Sequence, residues 1–144
     1  SDPPLKTVAG VPRIFICQED FERAEAIADN PAWGINFCMG TFSQLGGEEC
    51  VMKMIKRFVP QNRVHMIHFR DVQGQVEKFK ECFLGEGRYD PVTVMRALQE
   101  LGYEGLILDD HVPFLTGDSR WGHTSRAYTY GFLKGMAYSA AHGR

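Results

Sequence analysis

The chain has 144 residues, 44% of them apolar and 24% charged, the balance of an ordinary globular domain with enough length for a real core. Its net charge of −2 gives no electrostatic basis for binding nucleic acid or an anionic membrane. It carries neither a run of about 18 apolar residues, which a spanning helix would need, nor a secretory leader pattern, so the expected compartment is cytoplasmic.

The opening Ser1-Asp2-Pro3-Pro4 lacks a Met and reads as a loop entered from an upstream segment, with Pro- and Gly-containing loop continuing through residue 12. Arg13 to Cys17 reads as a short extended run. Glu19-Asp20 opens a helix to about Asn30, with Phe21, Ala24, Ile27 and Ala28 on one face at helical spacing, and Pro31 stops it. A strand over 34–39 follows, then a loop containing Gly40, Gly46 and Gly47. A second helix runs from about Glu48 to Phe58, with Val51, Met54, Ile55 and Phe58 inward, until Pro60 and Asn62 break it. The next strand is 64–69. Residues 70–89 form a long connection with a short apolar piece near Phe79–Leu84, and connections of that length are often functional. Asp90 is a good N-cap with Pro91 at the first helical position, which starts a helix to about Leu101 that Gly102 ends. The last strand is 105–109. A polar loop over 111–123 leads to a final helix from about Thr124 to Ala141.

Helices alternating with strands imply a parallel sheet. Three clear strands are too few for a closed eight-stranded barrel, which takes about 250 residues. The expectation is therefore one α/β domain over 1–144, either a small open sheet or the C-terminal portion of a (β/α)8 barrel: three parallel strands with flanking helices. In the barrel case an upstream segment completes the sheet.

Each strand delivers a metal-ligand residue at its tip: Gly34-Ile35-Asn36-Phe37-Cys38, Val64-His65-Met66-Ile67-His68 and Gly105-Leu106-Ile107-Leu108-Asp109-Asp110. Strand tips of parallel α/β barrels converge on the face that carries chemistry. Side chains alternate along a strand, so Asn36, Cys38 and Gly40 share one face, as do Val64, Met66, His68 and Arg70, and Leu106, Leu108 and Asp110. Cys38, His68 and Asp110 then sit in one layer, a donor set of thiol, imidazole and carboxylate suited to manganese, iron or zinc rather than magnesium. His65, on the opposite phase, reads as structural. Arg70 has a forked donor shape fit for a substrate carboxylate, or it pairs with Asp71 or Glu81. The four cysteines form no CxxC pair, and Cys17, Cys50 and Cys82 read as small buried hydrophobes without a disulfide framework.

Three further runs carry a resemblance: Gly34-Ile35-Asn36-Phe37-Cys38-Met39-Gly40-Thr41, then Arg63-Val64-His65-Met66-Ile67-His68-Phe69-Arg70-Asp71-Val72, then Gly102-Tyr103-Glu104-Gly105 leading to Asp110-His111. With Asp2-Pro3-Pro4 and Gly10-Val11-Pro12-Arg13, the chain resembles the mannonate dehydratase family over essentially its whole length. The resemblance implies a TIM-type barrel and a divalent metal, Mn2+ first and Fe2+ or Zn2+ next. It implies loss of water from a sugar acid, giving 2-keto-3-deoxy-D-gluconate from D-mannonate. On matching positions it makes Cys38, His68 and Asp110 metal ligands, His111 a catalytic acid/base and Arg70 a substrate-binding residue. The family's remaining metal-binding His would precede Ser1, so the chain would hold the last three strands of the barrel.

Departures bear on the substrate more than on the metal. Val112-Pro113 follow Asp110-His111 where the family continues Gly-Arg, and Asp71 stands where Asn is common. A family tyrosine for proton transfer has no counterpart in Arg120-Trp121-Gly122-His123, and His123 is the candidate to replace it. The chemistry suits the residues: removing a proton beside a carboxylate needs the developing enediolate stabilised, which a Lewis-acidic metal does, and a His moves the proton. Two other readings are a xylose-isomerase-like sugar isomerase or epimerase, against which the Cys ligand argues, and a non-catalytic relative serving as a binding module. The expected partners are a small sugar acid and further copies of the chain.

Overall fold

The computed structural model describes residues 4–143, so Asp2 and Pro3 of the opening turn lie outside the described residues. Two short strands come first, β1 (Thr7–Val8) and β2 (Val11–Pro12), paired antiparallel around a two-residue turn at Ala9-Gly10. A loop was expected there, followed by a short extended run at 13–17, where the chain passes through bends into α1 (Gln18–Ala28). Then come β3 (Ile35–Cys38), α2 (Met39–Phe58), β4 (Val64–His68), β5 (Asp71–Gln75), β6 (Lys78–Cys82), α3 (Pro91–Glu100), β7 (Leu106–Leu108) and α4 (His123–His142).

The sheet expected from the apolar runs is present. Strands β3, β4 and β7 form one three-stranded parallel sheet with β4 in the centre, and Cys38 pairs with His68, which pairs with Leu108. The register slips between Ile35 and Asn36, because Ile35 pairs with Val64 but Asn36 pairs with Met66. His65 is the extra residue, and it re-phases β4. Val64 therefore joins Ile35 on the helix-covered side, buried, instead of sharing a face with Met66 and His68. His65 packs its ring over Gly34, where a Cβ would sit 2.1 Å from Nε2.

The core fills the space between one face of this sheet and the helices. Phe37, Ile67 and Phe69 from the sheet meet Met54, Ile55 and Phe58 of α2 and Val94 and Leu98 of α3, all essentially inaccessible to solvent. Phe37 and Phe42 stack with centroids 4.5 Å apart. The other sheet face carries Asn36, Cys38, Met66 and His68, which are half-buried or exposed, and Leu106 is exposed.

Two local features differ from the sequence reading. Helix α2 begins at Met39 rather than Glu48, and breaks at Gly46 and Gly47 instead of following a loop. Gly47 has φ of 66°, a conformation only glycine takes readily, so two helical pieces meet at a kink there. The second difference is the connection 70–89, which folds into an antiparallel hairpin. Strand β5 pairs with β6 in a register that sets Asp71 opposite Cys82 and Val72 opposite Glu81. Helix α3 starts as expected: the Asp90 carboxylate accepts from Val92 N–H at 3.0 Å and from the Thr93 hydroxyl at 2.6 Å.

Candidate metal centre

The strand phase places the three tip residues together. Phe37 and Ile67 anchor in the core, so their neighbours Cys38 and His68 project from the opposite face. Beyond β7 the two adjacent aspartates part. Asp109 turns toward α4, where it accepts from Arg126 and, at 2.9 Å, from the Tyr130 hydroxyl. Asp110 turns to the sheet face. One ligand atom each from Cys38, His68 and Asp110 lies within 4.8 Å of the other two. Asp110 Oδ2 is 3.8 Å from Cys38 Sγ and 3.7 Å from His68 Nδ1. Metal–ligand bonds of about 2.0–2.3 Å allow one ion to touch two donors so separated.

The three side chains together form a donor set that could hold a cation. Burial is the largest influence on the Cys38 thiol and pushes its pKa up, while Thr41 and Arg70 pull it the other way. A half-buried thiol of this kind becomes a thiolate when a metal supplies the positive charge. Arg70 Nη1 lies 3.5 Å from both Cys38 Sγ and Asp110 Oδ2. Asn36 Nδ2 lies 3.4 Å from His68 Nε2. Asn36, Cys38, His68 and Asp110, with Thr41, Phe21, Phe42 and His111, line a cavity of about 320 Å³. A larger recess of about 470 Å³ opens at the other ends of the strands, lined by Asn62, His65, Tyr103 and Glu104. Its His65 Nε2 already faces Ala32 O at 3.3 Å and its Tyr103 hydroxyl donates to Leu106 O at 2.9 Å, so these two groups serve the backbone.

Arg70 is among the most deeply buried side chains, 1% exposed, and directs its fork to the Glu81 carboxylate at 2.9 and 2.7 Å. Of its expected roles, the structure displays the Glu81 pairing. His111 is exposed at the cavity edge, with Nδ1 3.2 Å from Glu81 Oε1 and Nε2 3.7 Å from Asp110 Oδ1. His123 is not brought to this cavity. It is the exposed first residue of α4, and its Nδ1 lies 2.9 Å from Ser119 Oγ.

Sequence reasoning placed Asn36 on the face of Cys38, missed Thr41 as a neighbour of the candidate ligands, and saw Glu81 only as a partner for Arg70. The signal available for Glu81 was period-two alternation in Lys78–Cys82, where Phe79 and Glu81 share a phase. For Asp109 it was the i, i+4 pair Arg126 and Tyr130 on one face of α4. The cysteine expectation needs correction at Cys17, which is exposed, and at Cys50, half-buried, whereas Cys82 is buried. Burial first, then the Asp71, Glu86 and Glu81 charges, push the Cys82 thiol up to about 12, which disfavours the thiolate.

The start of α4 is held by Asp118, which accepts from the N–H groups of Ser119, Thr124 and Ser125 at 2.7, 3.0 and 3.1 Å. The Thr124 N–H is the first of the influences that hold this carboxyl well below its ordinary 3.8. A depressed folded value means that the ionised group stabilises the fold above 3.8, and that this is lost as pH falls further. The melting temperatures of wild type and Asp118→Asn are expected to differ at neutral pH and to converge as pH drops below about 4. A pH-independent difference would show that Asp118 does not act through its charge.

The family description for D-mannonate dehydratase (UxuA) matches residues 1–143. The chain belongs to the mannonate dehydratase family. It is 36% identical over 128 residues to the mannonate dehydratase of Thermotoga petrophila, covering 87% of this chain and 34% of that protein. To the mannonate dehydratase of Streptococcus uberis it is 31% identical, covering 87% of this chain and 35% of that protein. The solved structure of mannonate dehydratase from Streptococcus suis serotype 2 superposes with a TM-score of 0.85 at 26% identity, covering 99% of this chain and 42% of that one. The chain thus spans about a third of the length of the curated relatives it matches. The family resemblance read from the strand-tip motifs agrees with these findings. Among the described residues, no helix is long and apolar enough to cross a membrane.

Proposed function

We propose that this chain is the C-terminal portion of a (β/α)8 barrel and supplies Cys38, His68 and Asp110 as ligands of a divalent metal in a sugar-acid dehydratase. The observation that carries the proposal is the meeting of a thiol, an imidazole and a carboxylate within 4.8 Å at the ends of three neighbouring parallel strands. The donor set favours Mn2+, Fe2+ or Zn2+ over magnesium. Family membership favours D-mannonate as substrate and 2-keto-3-deoxy-D-gluconate as product. A bound cation would supply Lewis acidity to the substrate's oxygens. The remaining ligand and strands would come from an upstream segment, in a cytoplasmic, self-associating enzyme.

The reaction breaks the C2–H and C3–O bonds. The C2 proton passes to a base, the C3 hydroxyl departs with a proton as water, and the enol left behind tautomerises to the 2-keto acid. His111 Nε2 stands at the cavity edge beside Asp110 and is the atom proposed to take the C2 proton. Arg70 holds Cys38 and Asp110 from beneath through Nη1, which keeps the two ligands at fixed separation. His123 stays the weaker candidate for a second proton-transfer group because it faces Ser119 outside the cavity. That placement also favours the second reading, a non-catalytic binding module.

Metal analysis combined with a dehydration assay decides. Cys38→Ser replaces the soft donor with a weak one, and bound metal is expected to fall at least about 10-fold, with 2-keto-3-deoxy product falling in parallel. If Cys38→Ser retains a wild-type metal content, the ligand assignment is wrong. If wild type binds metal yet forms no product from D-mannonate, the binding-module reading replaces the dehydratase.

A further inference from the structure

We propose that Glu81 is a positioning residue for His111: its carboxylate fixes the proton of the neutral imidazole on Nδ1 and leaves Nε2 as the free base. The catalytic meaning of this arrangement rests on the reading of His111 as the proton-transfer group, but the arrangement itself does not.

A carboxylate only accepts hydrogen bonds. At 3.2 Å, Glu81 Oε1 is within hydrogen-bond reach of His111 Nδ1, so that nitrogen is the donor. Asp110 competes poorly for the proton, because its Oδ1 lies 3.7 Å from Nε2, beyond hydrogen-bond distance. The two carboxylates thus ask for opposite tautomers, and distance decides for Glu81. In water a free histidine side chain prefers the proton on Nε2, so without Glu81 the same ring would present a donor where the reaction needs an acceptor.

Glu81 can impose this because both of its oxygens are themselves held. Both of its oxygens take a guanidinium N–H of the buried Arg70. The Arg70 stem is wedged against Gly40, where a Cβ would lie 3.0 Å from Arg70 Cδ. The antiparallel register pins Glu81 opposite Val72, which is fully buried. Oε1 has lone pairs for both the Arg70 Nη2 donor at 2.7 Å and the imidazole. The hairpin β5–β6 therefore delivers an orienting carboxylate to the cavity edge, in the role that the third group plays beside a nucleophile–base pair.

The test is the tautomer of His111, read by two-bond 1H–15N NMR on 15N-labelled protein without added metal or substrate. It is run at about pH 8, where an ordinary imidazole is neutral. Loss of one resonance set in His111→Asn assigns the signals. In wild type the Nδ1–H form is expected to predominate. In Glu81→Met, which has similar size but no acceptor, the Nδ1–H to Nε2–H ratio is expected to fall about 10-fold, the effect of losing one charge-assisted hydrogen bond. A predominant Nε2–H form in wild type, or a wild-type ratio in Glu81→Met, overturns the proposal. If Glu81→Met does not fold, the wild-type measurement decides alone. Neither arm uses dehydratase activity, so failure of that reading is seen separately.

Discussion

Replacing Asp71 with alanine is expected to destabilise the protein by about 4 kcal/mol, a large part of the stability of an ordinary domain. The carboxylate accepts four backbone N–H groups: Val72 at 2.9 Å and Arg88 at 3.2 Å on Oδ1, Gly85 at 3.2 Å and Gly87 at 3.0 Å on Oδ2. Burial, the largest influence, pushes its pKa above the ordinary value in spite of these bonds. The cost of the substitution therefore lies in orphaned backbone donors, at about 1 kcal/mol for each part-buried group, rather than in a lost charge. The loop is built around this carboxylate: a Cβ on Gly87 would sit 1.9 Å from Asp71 Oδ1. Asp71→Asn keeps one acceptor oxygen and turns an NH2 toward two donors, so roughly half of the loss is expected from it. Because Asp71 opens β5, its loss should also loosen the hairpin that carries Glu81. Urea unfolding of the three proteins measures this directly. A stability for Asp71→Ala within about 0.5 kcal/mol of wild type would show that the loop finds other acceptors.

In an enzyme form that includes the upstream strands, His111→Asn is expected to lower turnover of D-mannonate by about 10²–10⁴-fold while leaving bound metal unchanged. The Asn side chain places an amide N–H near the position of Nδ1, so the contact with Glu81 Oε1 can persist. It has no group that can take a proton in place of Nε2. His111 is exposed and touches Glu81 and Asp110 at its edges, so removal of the ring leaves the core intact. The effect should therefore fall on kcat rather than on the fold or on metal affinity. Full activity in His111→Asn would assign the proton transfer to another group. Loss of metal together with activity would make His111 a support for Asp110 instead.

The sequence by itself determined the parallel sheet and the three donors. Apolar runs bounded by Pro, Gly and Asn mark buried strands, and period-two alternation then sends Cys38 and His68 to the face opposite Phe37 and Ile67. Asp90-Pro91 marked the start of α3 because capping is a local interaction. What the sequence left undecided depends on non-local contacts. The slip at His65 that buries Val64 appears only when β3 and β4 are paired. The β5–β6 hairpin was hidden because Lys78 and Lys80 dilute its apolar pattern, and its stability comes from pairing and from the Asp71 anchor. Alternation puts Asp110 in phase with Leu106 and Leu108, but the tie of the adjacent Asp109 to Arg126 and Tyr130 on α4 appears only in the folded chain. The fork of Arg70 matched a substrate carboxylate, Asp71 or Glu81 equally well as chemistry. Of the two side-chain pairings, tertiary structure supplies the one with Glu81, because a guanidinium that is 1% exposed needs a carboxylate partner within reach and the hairpin brings one.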